Sequence, residues 1–217
     1  MTSSSFFRAG VSAGVSAGVS AVLLSCGLAT AALAQAGAGR PAAGGTGAPQ
    51  YVLAPSGRAT TTVEFAARVP AGTPADQRPA PKRIAIDYGQ PHARGRDVLP
   101  LIPTSAPWRA GANTSTTFTS DVDLVINGLS VPKGSYSLYV QRDAAGAKLI
   151  INKQTTQWGT VYDAKQDLGR VDLRVRTLSQ PLDALQIVLA PAATGGKGVL
   201  RIVWGTLEME TDWEAKL

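Results

Sequence analysis

Val171-Asp172-Leu173-Arg174-Val175-Arg176 decides the fold class of this chain. Apolar and charged side chains alternate strictly along it. Successive side chains of a strand point to opposite faces, so this run has one face for a core and one for water. The same rhythm recurs downstream. Leu185, Ile187 and Leu189 share a face, as do Leu200, Ile202 and Trp204, and Leu207 and Met209 alternate with Glu208 and Glu210. Upstream, Val63 and Phe65 flank Glu64; Ile84, Ile86 and Tyr88 oppose Asp87; Val122, Leu124 and Ile126 alternate with their neighbours; Tyr136, Leu138 and Val140 share a face.

Turn chemistry separates these runs: Asn127-Gly128, Pro132-Lys133-Gly134, Asp143-Ala144-Ala145-Gly146 and Gly195-Gly196-Lys197-Gly198. Asn-Gly tolerates the positive φ that tight hairpins require. About ten strand segments fall between residues 61 and 210, and such spacing predicts an all-β domain: an antiparallel β-sandwich, jelly-roll-like, or a partly closed barrel. Only residues 162–168 read as a short helical turn. The domain is expected over residues 59–212.

Residues 1–34 read as a secretory signal peptide. Arg8 is their one charged side chain, the apolar centre follows, and Ala32-Leu33-Ala34 presents small residues for cleavage before Gln35. An uncleaved transmembrane anchor is one alternative, since the uncharged run is long enough to span a bilayer. A lipoprotein acylated at Cys26 is the other. After cleavage no membrane span is expected, and the chain would be periplasmic or extracellular. Residues 35–58, with Gly44-Gly45, Pro41, Pro49 and Pro55, read as a disordered tether.

Composition excludes several classes. The 217 residues contain one cysteine and one histidine, Cys26 and His92, so neither a disulfide framework nor a cysteine- or histidine-rich metal centre is expected. No cofactor is expected. The net charge of +6 is spread without a basic run or an interleaved basic–aromatic stripe, so no nucleic-acid partner is expected. No G-x-S-x-G elbow surrounds Ser135 or Ser137, which argues against a serine hydrolase of that type.

The densest chemistry lies at Lys82-Arg83 through Asn113. It includes Asp87-Tyr88-Gly89-Gln90-Pro91-His92-Ala93-Arg94-Gly95-Arg96 and Pro107-Trp108-Arg109-Ala110-Gly111-Ala112-Asn113. Val131-Pro132-Lys133-Gly134-Ser135-Tyr136-Ser137-Leu138 and Trp158-Gly159-Thr160 follow. These four motifs, in this order over roughly residues 83–205, resemble the bacterial family known as domain of unknown function 2911. The resemblance implies an exported, β-rich protein and supplies no mechanism. The chain departs from the family pattern at Asp97–Pro103 and at Thr114–Thr117, both beside the expected site.

The residues themselves point to a ligand site formed by Tyr88, His92, Arg94, Arg96, Trp108, Arg109 and Asn113. Guanidinium forks suit carboxylates and phosphates. Arg94 and Arg96, two apart on an extended segment, would point the same way, with Gly95 allowing close approach of a ligand. Trp108 offers a flat face for a sugar or cation. The expected function is a non-catalytic envelope module binding an anionic or saccharide ligand, or an envelope protein. The alternative is a hydrolase or lyase, with Asp87 or His92 as general base and Arg94, Arg96 and Arg109 stabilising an anion. A purely structural role is open too: the arginines would pair with Asp87 or Asp97, Trp108 would plug the core, and Trp158 with Tyr162 would anchor it.

Overall fold

The structure, a computed structural model, describes residues 50–217. The stretch read as a signal peptide, Cys26 and the expected tether up to residue 49 lie outside the described residues. Nine strands follow one another: β1 (Ser56–Phe65), β2 (Lys82–Pro91), β3 (Thr116–Ser120), β4 (Leu124–Ile126), β5 (Leu129–Val131), β6 (Gly134–Asp143), β7 (Gly146–Asn152), β8 (Asp167–Pro191) and β9 (Lys197–Ala215). Every strand pairing is antiparallel, and the strands form one open sheet in the order β1-β2-β3-β6-β7-β8-β9-β4-β5. The all-β antiparallel expectation holds. The expected helical turn is a 3₁₀ turn at Ala164–Gln166. Strand β1 begins at Ser56, inside the stretch read as tether, and β9 runs on to Ala215, past the expected domain end.

The strand count differs in an instructive way. The runs around 171–175 and 185–189 belong to a single 25-residue strand, β8, and those around 200–204 and 207–210 to the 19-residue β9. Register shifts between Thr177 and Leu182, and again between Leu182 and Gln186, take up the bend. Irregularities of this kind let one strand turn a corner and serve two layers. The first part of β8, Asp167–Leu173, pairs with β7; from Arg174 onward the strand pairs with β9. Val175, expected inward, stands at this bend and is exposed.

Beyond the bend, β8 lies across β1 and β2, and a core forms between the layers. Ile84, Ile86, Phe118, Leu138, Leu149 and Ile151 from one side meet Leu185, Ile187, Leu200 and Ile202 from the other, all essentially inaccessible. Each such side chain contributes about 1.5–3 kcal/mol on leaving water.

No ladder joins β8 to β1 or β2. Side chains close that seam instead. The Ile187 N–H donates to Tyr88 Oη at 3.1 Å, the Leu189 N–H donates to Thr61 Oγ1 at 3.4 Å, and Gln90 Nε2 donates to the Leu185 carbonyl at 3.0 Å. One backbone bond, Ala93 N–H to the Asp183 carbonyl at 2.7 Å, ends it. Buried backbone groups need partners, and here β1 and β2 supply them with side chains.

Strands β6 and β7 are covered on their other face as well. Tyr139 and Ile150 are fully buried, and Tyr162 meets the Tyr139 ring edge-on at 5.0 Å. Tyr139 Oη donates to the Val161 carbonyl at 3.0 Å, fixing the 153–163 segment over this face.

Candidate functional site

The segment after β2 is firmly held. It leaves the sheet at Pro91, meets β8 at the His92–Ala184 bridge and passes a 3₁₀ turn at Leu99–Leu101. It then lies along β6, where Trp108 and Val140 exchange both backbone hydrogen bonds at 2.8 and 2.7 Å. Its end packs against two other motifs. Ala112 N–H donates to the Gly89 carbonyl at 3.1 Å, and Gly159 N–H donates to the Asn113 carbonyl at 3.0 Å. Gly159 is needed there for space: a Cβ would overlap the Arg109 side chain and lie 2.7 Å from the Asn113 oxygen.

The seven expected site residues do not converge on one hollow. Tyr88 is buried and belongs to the seam. Arg94 and Arg96 do not project together from an extended strand, because Arg94 (φ 54°) and Gly95 (φ 73°) form the centre of a tight turn closed by Arg96 N–H to the Ala93 carbonyl. The Arg96 guanidinium folds back onto this turn, donating to the Ala93 and His92 carbonyls at 2.8 and 3.0 Å. Asn113 is exposed (φ 64°), with Nδ2 3.5 Å from the Ser56 carbonyl.

The expected acidic partners serve elsewhere. Asp87 is ion-paired with Arg58 and accepts from Thr60 Oγ1 at 2.9 Å. Asp97 Oδ1 accepts from the Leu99 N–H at 3.0 Å. The residue that pins the loop is Asp183 of β8. Its Oδ2 lies 2.9 Å from His92 Nδ1 and its Oδ1 accepts from the Arg94 N–H at 2.6 Å. These two contacts, His92 first, hold the Asp183 carboxyl below the usual aspartate range. Its backbone carbonyl also accepts from Trp204 Nε1 at 3.1 Å. Sequence reasoning had no signal for Asp183, a lone acid in an exposed stretch far from the motif.

Two clefts share Pro91 as a wall. One, of about 410 Å³, is lined by His92, Arg94 and Arg96 with Pro55 and Ser56. The other, of about 430 Å³, holds Trp108 and Arg109. There Trp108 stacks on Trp204, ring centres 5.9 Å apart and planes 7° apart. Trp108 is thus largely a core residue, whereas Trp158, expected as an anchor, is 53% exposed. Pro91, Leu101, Pro103 and Pro107 complete the apolar walls, and Thr160 supplies a hydroxyl-bearing side chain.

Among the described residues, Arg109 is the one charged residue lining this cleft. Its Nε is buried and has no hydrogen-bond partner among the described residues. Burial lowers its pKa, opposed by the nearby Tyr139 hydroxyl. Burial likewise raises the Tyr139 pKa, opposed by the hydrogen bond from Gln157 and by Arg109. Arg109 as a whole is only partly buried, so a guanidinium with one N–H stranded from water stands beside an apolar-walled cleft, where attraction for an anion is stronger than in bulk water.

A third hollow, of about 520 Å³ between Phe65, Pro79, Val122 and Leu217, contains none of the expected site residues. Its two aspartates are occupied: Asp121 accepts from the Arg83 N–H and Asp123 from the Lys133 N–H, both at 2.8 Å. Among the described residues, no group of three or more His, Cys, Asp or Glu side chains could hold a metal ion, and no helix is long and apolar enough to cross a membrane.

No curated protein and no solved structure matches the chain. A family model described as "Protein of unknown function (DUF2911)" matches residues 71–212. The interlocked 88–96, 108–113 and 158–160 motifs all lie within that span, and the chain belongs to this family.

Proposed function

We propose that the protein is an exported, non-catalytic binding module whose Arg109 cleft takes the anionic group of a ligand with an apolar body. The buried, unpartnered Arg109 Nε carries this reading. The walls support it: Pro91, Leu101, Pro103, Pro107, Trp108 and Trp204 suit an apolar body, and no carboxylate competes for the guanidinium. They favour such a body over a saccharide, whose hydroxyls would meet no carboxylate or amide side chain. Export is supported by the arginine, apolar centre and Ala-Leu-Ala end of residues 1–34.

The test is calorimetric titration with N-acetyl-leucine, with N-acetylglucosamine as control. Wild-type protein is expected to bind the carboxylate, and Arg109→Gln to weaken binding about tenfold or more, as for loss of a charge-assisted hydrogen bond. Equal binding by both proteins would overturn the assignment.

The second cleft favours a further reading, that of a hydrolase or lyase. Asp183 lies against His92 Nδ1, an arrangement that orients an imidazole and leaves Nε2 to accept a proton. Arg94, Arg96 and Ser56 line the same cleft. Asp87 is less suited as the base because Arg58 neutralises it. Turnover of a model ester that survives both His92→Ala and Asp183→Asn would eliminate this reading.

A further inference from the structure

We infer that the anionic group received by the Arg109 cleft is the C-terminal carboxylate of an extended polypeptide whose last side chain is apolar, an inference that rests on the anion-binding reading above. Among the described residues the cleft offers one guanidinium and no second cation, which matches a single negative charge rather than a phosphate dianion. A terminal apolar residue carries its carboxylate and its side chain on the same Cα. That places charge and apolar bulk side by side, as Arg109 stands beside the Trp108–Trp204 pair.

The rim argues for a macromolecule. Leu101, itself part of the cleft, is 39% exposed. The segment that supplies Gly159 and Thr160 also carries Trp158 and Val161, each 53% exposed. A small carboxylate filling the cleft would leave these apolar side chains in water. A chain leading out of the cleft would cover them, the usual fate of exposed apolar residues around a recognition site. Uronate-bearing polysaccharide is disfavoured because, among the described lining residues, the neutral polar side-chain groups are the Thr160 hydroxyl and the indole N–H groups of Trp108 and Trp204, and Trp204 Nε1 already donates to the Asp183 carbonyl.

Calorimetry on the folded protein tests this with three probes: an alanine- and serine-based pentapeptide ending in free leucine, the same peptide amidated, and N-acetyl-leucine. The free peptide is expected to bind about tenfold or more tighter than N-acetyl-leucine, and amidation to remove most of that affinity. Trp158→Ala and Val161→Ser, both outside the cleft lining, should weaken the free peptide while leaving N-acetyl-leucine unchanged. Binding of N-acetyl-leucine through Arg109, with no gain for the peptide, would overturn this inference and leave the anion-binding reading standing. So would equal binding of the amide, or a uronate oligosaccharide that binds more tightly than the peptide. Loss of all carboxylate binding would remove both.

Discussion

Asp183 and His92, 91 residues apart, meet where β2 leaves the sheet, with Oδ2 2.9 Å from Nδ1. Through the Arg94 N–H the same carboxylate also holds the turn that follows. Asp183→Ala is expected to lower the urea midpoint at neutral pH. The carboxyl is held below its ordinary value of 3.8, so its contribution is complete above that value and fades as pH falls through it and through the lower folded-state value. The gap between wild type and variant should therefore narrow as pH falls through the ordinary aspartate value and below it. A gap that is constant across this range would show that the ionised form has no special role.

Gly159→Ala should be costly despite adding only a methyl group. The new Cβ would collide with the Arg109 stem and approach the Asn113 carbonyl, which is backbone and cannot rotate away. A loss of about 1–3 kcal/mol in urea unfolding is expected, as for overpacked sites. Binding of N-acetyl-leucine should fall with it, because Arg109 must move.

Tyr88→Phe removes one oxygen and leaves the Ile187 N–H buried without an acceptor. The expected loss is about 1–3 kcal/mol, the cost of stranding a buried donor. Amide hydrogen exchange at Ile187 should accelerate more than exchange at Ile202, its ladder partner on β9.

Glu208 is a buried carboxylate held chiefly by Arg176, whose Nε and Nη2 lie at 2.6 and 3.0 Å, with Arg201 Nη1 farther off at 3.7 Å. Arg176 itself is more than half exposed, so solvent screens the pair. Glu208→Gln should cost about 1–2 kcal/mol at neutral pH. Arg176 holds the Glu208 carboxyl below its ordinary 4.5, so this stabilisation is present above that value and is lost as pH falls below it. Urea midpoints measured at pH 7 and in acid check both sign and size.

How much was legible follows from what each residue faces. Val171 and Leu173 alternate with charges because only one face of their strand is buried. The stretch Lys148–Asn152 gave no such signal. Leu149, Ile150 and Ile151 form an unbroken apolar run, since β7 is covered by the core on one face and by the 153–163 segment on the other. Strand β3 was hidden by its threonines: Thr116 is fully buried and satisfies its hydroxyl on the Ala110 carbonyl at 3.1 Å. Pro181 sits within the bend of β8, where proline reads as a stop. At the site, arginine and tryptophan could be picked out by type, but the tight turn at Arg94-Gly95 and the distant Asp183 determine where they point. Residue type marks out the segment, whereas its division into two clefts depends on contacts that no local pattern encodes.

Had a full ladder run between β8 and the first two strands, the domain would be a rigid tube, each strand bound by its neighbours on both sides. It is closer to a clamshell, latched by Thr61, Tyr88 and Gln90 with one backbone link at its end. Such latches can be altered one at a time without shifting any strand's register. The gape of the shell, and with it the spacing between β2 and the Asp183 corner, is therefore adjustable by single substitutions far from Arg109.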